Sequence, residues 1–249
     1  MPVKKKSKSP GQGMTAKQMK RRKPISQEYM VNIEPLTDNQ KVMFDAWDEG
    51  KMIYAYGVAG TGKTFVALYK ALKEVLDDYS PYEKIYIVRS LVATREIGFL
   101  PGDHEDKSSL YQIPYKNMVQ AMFEMPDDNS YEMLYDNLKA QETISFWSTS
   151  FIRGTTLDNS IVIIDECQNL NFHELDSIIT RVGQDSKIIF CGDAAQTDLQ
   201  KISERTGIID FQRILQNMEE FSMIEFGIED IVRSGLVKSY LINKINLGL

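Results

Sequence analysis

Gly57-Val58-Ala59-Gly60-Thr61-Gly62-Lys63-Thr64 is a glycine, four residues, then Gly-Lys-Thr. Before it stands the apolar run Met52-Ile53-Tyr54-Ala55-Tyr56, which reads as a buried strand. After it, Phe65-Val66-Ala67-Leu68-Tyr69-Lys70-Ala71-Leu72 has helical spacing. Strand, glycine loop and helix in this order make a phosphate-binding loop, or P-loop. Glycine lets the backbone turn so that successive N–H groups face one anion, and the helix N-terminus adds partial positive charge. The motif assigns nucleotide phosphates to the loop from Gly57 and Ala59 through the backbone amides of Gly60, Thr61 and Gly62. Lys63 is expected at the β- and γ-phosphates, and the Thr64 hydroxyl on Mg²⁺.

A second stretch completes that chemistry. Ile161-Val162-Ile163-Ile164-Asp165-Glu166 is an apolar strand ending in two carboxylates, the Walker B arrangement. Asp165 is expected to hold the metal through water, and Glu166 to polarise the attacking water. The same pair disfavours a small-molecule kinase, which must exclude water. Ser186-Lys187-Ile188-Ile189-Phe190-Cys191-Gly192 reads as another buried strand, followed by Asp193-Ala194-Ala195-Gln196. Ligands of open α/β sheets bind at the C-terminal ends of strands. Gln196 is therefore either a γ-phosphate sensor or a plain loop glutamine.

The remaining chain supplies the frame. Thr37 and Gln40 have capping-box spacing ahead of the stripe Val42, Met43, Ala46 and Trp47. Gln40 is also placed to read an adenine edge, as in the helicase Q motif, and both readings stand. Lys84-Ile85-Tyr86-Ile87-Val88, Ile144-Ser145-Phe146-Trp147-Ser148 and Met223-Ile224-Glu225-Phe226 read as further strands. Residues 104–142 read as a helical insertion: one amphipathic helix interrupted early by Pro114, and a second carrying Tyr131, Leu134, Tyr135 and Leu138. Its tyrosines are either core or stacking platforms for bases. Ile231, Leu236, Tyr240, Leu241 and Lys244 suit a last helix with Asp230 near its start, on which Arg233 is an arginine finger or a surface residue. The fold expected is an α/β, RecA-like P-loop NTPase with a mainly parallel sheet flanked by helices.

Composition narrows the classes. The chain has 249 residues, 43% of them hydrophobic, and a mean hydropathy of -0.31. That suits one globular domain over 28–249, with no run long enough to cross a bilayer and no visible signal peptide. Two cysteines and two histidines make a disulfide framework or a zinc site a poor fit, and a cytoplasmic setting is expected. The net charge of -6 conceals an uneven distribution. Residues 1–27 hold nine of the 29 basic residues, from Lys4 to Lys23, and no acid. This basic stretch reads either as a nucleic-acid arm or as a disordered solubilising tail.

The motifs together resemble the PhoH-like family of P-loop ATPases, which is related to superfamily 1 helicases. The resemblance covers about residues 34–245. Its specific marks are Gly98-Phe99-Leu100-Pro101-Gly102-Asp103, Phe151-Ile152-Arg153-Gly154, Asp165-Glu166-Cys167-Gln168-Asn169, Thr180-Arg181-Val182-Gly183, Gly192-Asp193 with Gln196, and Asp230-Ile231-Val232-Arg233. The family pattern has Pro where Val58 and Ser90 stand, Ala at Cys167 and Arg at Thr155. Such departures point to a divergent branch, of the compact kind that phage genomes carry. No PIN nuclease stretch is present, so no RNase chemistry is implied. The resemblance implies an ATP- and Mg²⁺-dependent ATPase that acts on single-stranded RNA or DNA, RNA favoured, as a helicase-like motor. It also implies a homo-oligomer, with a hexameric ring in view, in which Arg233, Arg181 or Arg153 would act in trans. The alternative is an ATP-gated binding or scaffold protein that does no unwinding.

Overall fold

The computed structural model describes residues 25–89, 104–152, 154–193 and 202–247. The basic tail up to Lys23, the mark at 98–103, Arg153 and Gln196 lie outside the described residues. In chain order the elements are α1 (Asp38–Asp48), β1 (Met52–Gly57), α2 (Lys63–Val75), β2 (Lys84–Arg89), α3 (His104–Gln120), α4 (Asp128–Ala140) and β3 (Ile144–Ser148). Then come α5 (Thr149–Ile152), β4 (Ser160–Asp165), α6 (Phe172–Ile179), β5 (Lys187–Gly192), α7 (Ile202–Gln216), β6 (Phe221–Phe226) and α8 (Gly235–Asn246).

The six strands form one sheet in the order β3-β2-β4-β5-β1-β6. Every neighbouring pair is parallel. Parallel strands are buried on both faces, which explains the unbroken apolar runs of β4 and β5. Alternate residues serve opposite cores. Ile161 and Ile163 face a cluster with Leu68, Leu72, Val119 and Leu138 from α2, α3 and α4. Val162 and Ile164 face a second cluster with Leu175, Ile178, Phe211 and Leu215 from α6 and α7. The result is a three-layer α/β/α sandwich, as expected of the P-loop NTPase fold. Because the strands are parallel, their C-terminal ends share one edge. Register sets Arg89 beside Asp165, Tyr56 beside Gly192, and Gly57 beside Phe226.

Three local expectations change. Pro114 does not interrupt α3, which runs through it. Proline removes one i→i−4 bond, but the turns beyond it are held by packing: Tyr115, Val119, Met122 and Phe123 are all buried. Strand β6 begins at Phe221, two residues before the apolar run suggested. The last helix starts only at Gly235, and none of its residues is buried. Asp230 ends a separate turn, where its carboxylate accepts from Gly227 N (2.8 Å) and Asn39 Nδ2 (2.7 Å). Those bonds, with Val232 N donating to Gly60 O at 3.0 Å, stretch residues 231–233 along the P-loop instead of coiling them.

At the other end of the chain, Ile25 packs on the first core cluster and Val31 N donates to Met122 O at 3.0 Å. No helix among the described residues is long and apolar enough to cross a membrane.

The first residue of β5 is a buried lysine. Lys187 Nζ donates to Trp47 O at 3.0 Å, lies 4.5 Å from the Trp47 ring and stands 4.0 Å from Glu74 Oε1. Burial holds its pKa below the ordinary value of 10.5, with Lys70 adding to the effect and Glu74 opposing it. The unfolded chain therefore binds this proton more tightly than the folded one. Stability should rise with pH between the lowered folded pKa and 10.5. Urea unfolding at neutral pH and near pH 10 checks this: the wild type should gain on Lys187→Met as the pH rises.

Candidate active site

The P-loop leaves β1 through a residue with no room for a side chain. Gly57 has φ 113°, and a Cβ there would stand 2.2 Å from Phe226 O of β6. The loop ends at Gly62, whose left-handed φ of 84° begins α2 without a side-chain cap. The first helical amides are thus left facing the cleft. Within the loop, Thr61 is fully buried and its Oγ1 donates to Val58 O at 3.0 Å. Lys63 Nζ donates to Val58 O (2.6 Å), Gly57 O (3.1 Å) and Thr61 Oγ1 (3.2 Å). Burial pushes its pKa down, while Cys191, Asp193, Glu166 and Asp165 pull it back up.

Gln40 is buried beneath this loop. Its Nε2 donates to Thr61 O at 2.8 Å and its Oε1 accepts from Leu36 N, also at 2.8 Å. Thr37 caps α1 by accepting from Gln40 N at 3.3 Å. The backbone half of the capping box is therefore formed. The glutamine side chain, however, reaches Leu36 and the P-loop, not back to Thr37. Gln40 thus supports the loop and keeps one amide hydrogen and one lone pair for another partner.

The carboxylate strand meets the loop at its head. Thr64 Oγ1 lies 2.7 Å from Asp165 Oδ1, and Tyr115 OH lies 2.5 Å from Asp165 Oδ2. Burial, followed by the Asp165 charge, pushes the Tyr115 phenol far above its ordinary range, so it keeps its proton. Glu166 sits at φ 52°, a left-handed backbone unusual outside glycine. Its Oε2 accepts from Gln168 Nε2 at 2.5 Å, and its Oε1 stands 3.9 Å from Arg89 Nη2. Gln168 Oε1 in turn accepts from Asp193 N at 2.9 Å, which ties the end of β5 to Glu166. A Cβ on Gly192 would come within 2.6 Å of Cys167 Sγ and 2.9 Å of Gln168 Oε1, so this crossing needs a glycine.

These groups surround a cleft of about 670 Å³. Ala59, Gly60, Thr61, Gly62, Lys63, Thr64, Asp165, Glu166, Gln40 and Arg233 all line it. Gln196 lies outside the described residues, three positions past Asp193. Arg233 lies over the loop of its own chain: a Cβ on Gly60 would be 2.9 Å from Arg233 Cγ. Arg181 is elsewhere. Its carbonyl accepts from Leu157 N, ahead of the first residue of β4 and so at the opposite end of the strands.

Sequence reasoning gave Arg89 and Gln168 no chemical role and did not bring Tyr115 to the carboxylates. A basic residue ending a buried strand was a usable signal for Arg89. Tyr115 stands in an apolar stripe whose tyrosines read as core or as base-stacking platforms, and Gln168 is marked only as part of the family stretch Asp165-Glu166-Cys167-Gln168-Asn169.

Comparison with known proteins agrees with the motifs. The family model described as PhoH-like protein matches residues 32–243. A PhoH-like protein of Mycobacterium leprae is 32% identical over 206 residues, covering 82% of this chain and 56% of the relative. One from Bacillus subtilis is 32% identical over 215 residues, covering 83% and 62%. The chain thus spans a little over half the length of the curated relatives it matches. Among solved structures, the large terminase of a thermophilic bacteriophage superposes with a TM-score of 0.48 and 12% identity, over 83% of this chain and 50% of that one. A likeness that slight carries no argument about function.

The Gly57 geometry makes a direct prediction. Gly57→Ala should destabilise the protein by about 2–4 kcal/mol, through a forbidden φ and the clash with Phe226 O. Chemical denaturation against wild type measures it.

Proposed function

The chain belongs to the PhoH-like protein family, and we propose that it is a Mg²⁺-dependent ATPase acting on single-stranded nucleic acid, RNA in the first place, as a helicase-like motor. The observation that carries the reading is the 2.7 Å pair of Thr64 and Asp165 at the head of a P-loop. The Thr64 hydroxyl, and the Asp165 carboxylate through water, would hold a hard divalent cation there. Bound Mg²⁺ would neutralise charge on the phosphates. The chain's own residues do the rest. Backbone amides of Gly60, Thr61 and Gly62 bind phosphate oxygens, and Lys63 adds a cation beside them. Glu166 is the base for the attacking water, and Gln196 is proposed as the γ-phosphate sensor. Gln40 braces the loop and offers its remaining amide hydrogen and lone pair to the base.

Arg233 is the finger proposed in cis, since its side chain already lies on Gly60. A homo-oligomer is proposed because a single lobe of this kind needs a second to close on the nucleotide; Arg181, at the opposite end of the strands, would serve only a neighbouring copy's site. The protein is proposed as cytoplasmic, in keeping with its two free, buried cysteines.

Steady-state hydrolysis with and without single-stranded RNA or DNA, at several salt concentrations, tests the motor reading. Stimulation by RNA that weakens as salt rises is expected, because phosphate contacts release counterions. Glu166→Gln should keep MgATP binding and lose about 10²–10⁴-fold in turnover. Hydrolysis indifferent to every nucleic acid would instead favour an ATP-gated scaffold. Undiminished turnover in Glu166→Gln would remove that residue from the mechanism.

A further inference from the structure

Tyr115 reaches the carboxylate side of the cleft from α3, a helix that belongs to neither the P-loop unit nor the sheet. Its ring is buried and packs against Phe146 of β3, with centroids 5.4 Å apart. A phenylalanine would fill that space equally well. What the tyrosine adds is a hydroxyl in a dry place, which costs stability unless it is bonded. It donates to Asp165 Oδ2, at 2.5 Å, with the Arg89 guanidinium on its other side. The other oxygen of the same carboxylate takes the Thr64 hydroxyl, at 2.7 Å.

A carboxylate only accepts hydrogen bonds, so both hydroxyls must donate. Thr64 then spends its proton on Asp165 and turns its lone pairs elsewhere, which is the orientation a metal ligand needs. The direction of the Thr64 hydroxyl depends on where Asp165 Oδ1 lies. That in turn depends on what holds Oδ2. Asp165 is only 7% exposed, so water is a poor substitute for the phenol.

We propose that Tyr115 is a positioning residue for the Mg²⁺ of the nucleotide site: its hydroxyl fixes the plane of the Asp165 carboxylate, and through it the orientation of Thr64. The proposal rests on the reading of this cleft as a Mg²⁺-nucleotide site. It also gives the α3–α4 insertion a task within the chemistry. Helix α3 supplies a hydrogen bond to a group that would hold the metal, the kind of outer contact whose loss typically weakens metal affinity about 10–100-fold.

The test uses the full chain and a fluorescent ADP analogue, titrated first in EDTA and then with rising Mg²⁺, together with Mn²⁺ binding followed by electron paramagnetic resonance. Tyr115→Phe should bind the analogue in EDTA as the wild type does. It should need about tenfold more Mg²⁺ for the half-maximal effect and bind Mn²⁺ correspondingly less tightly. In an Asp165→Asn background the same change should add nothing, because the effect travels through that carboxylate. Wild-type Mg²⁺ dependence in Tyr115→Phe overturns the proposal, as does a full additional loss in the Asp165→Asn background. Loss of metal-free binding together with thermal stability would make Tyr115 a core residue and also overturn it. A wild-type protein that binds no nucleotide fails differently: it removes the nucleotide-site reading itself.

Discussion

The hydrogen bond from Thr64, in the first turn of α2, to Asp165, at the end of β4, spans the ends of two strands that are not neighbours. Strand β5 lies between β1, which launches the P-loop, and β4, which ends in the carboxylates. Only an all-parallel sheet of this order brings the two C-terminal ends to one edge with a single strand between them. The 2.7 Å contact across that gap therefore depends on the register of both β1 with β5 and β4 with β5. A slip of one residue in either pairing would turn every side chain of that strand to the opposite face. It would part the threonine from the aspartate and exchange the residues offered to the two cores.

The cleft is a place where polar groups are packed as tightly as apolar ones. Lys63, Thr61, Gln40, Asp165, Gln168 and Asp193 are all buried, and each has its hydrogen-bonding partners close by. Such a network is rigid when satisfied and costly when one member is missing. Glu166, held in a left-handed backbone, adds local strain that the network must contain. The apolar clusters on the two faces of the sheet supply the offsetting stability. They also fix the strands whose ends carry the polar groups.

The parts of this arrangement that could be read from sequence are those whose meaning is local. The glycine spacing around Lys63 and the paired acids after Ile164 each fall within eight residues, and each implies its own strand. Tyr115 meets Asp165 across 50 residues, and Gln168 meets Asp193 across 25, so neither contact leaves a mark in a short window. Pro114 misled because propensity speaks against a helix there while the packing that overrides it is tertiary. Asp230 misled for the same kind of reason: its partners, Asn39 and Gly227, hold it in a turn that periodicity cannot register. Gln40 was legible as important. Its two bonds to Thr61 and Leu36 became clear only once the loop was in place.

If the proposed function is right, this cleft binds a Mg²⁺-nucleotide through the P-loop. Isothermal titration of MgATP into the wild-type protein and into Lys63→Ala decides it. Saturable one-site binding is predicted for the wild type, weakened at least about tenfold when the ammonium is removed. Equal affinity in the two proteins, or no binding by a folded wild type, would contradict it.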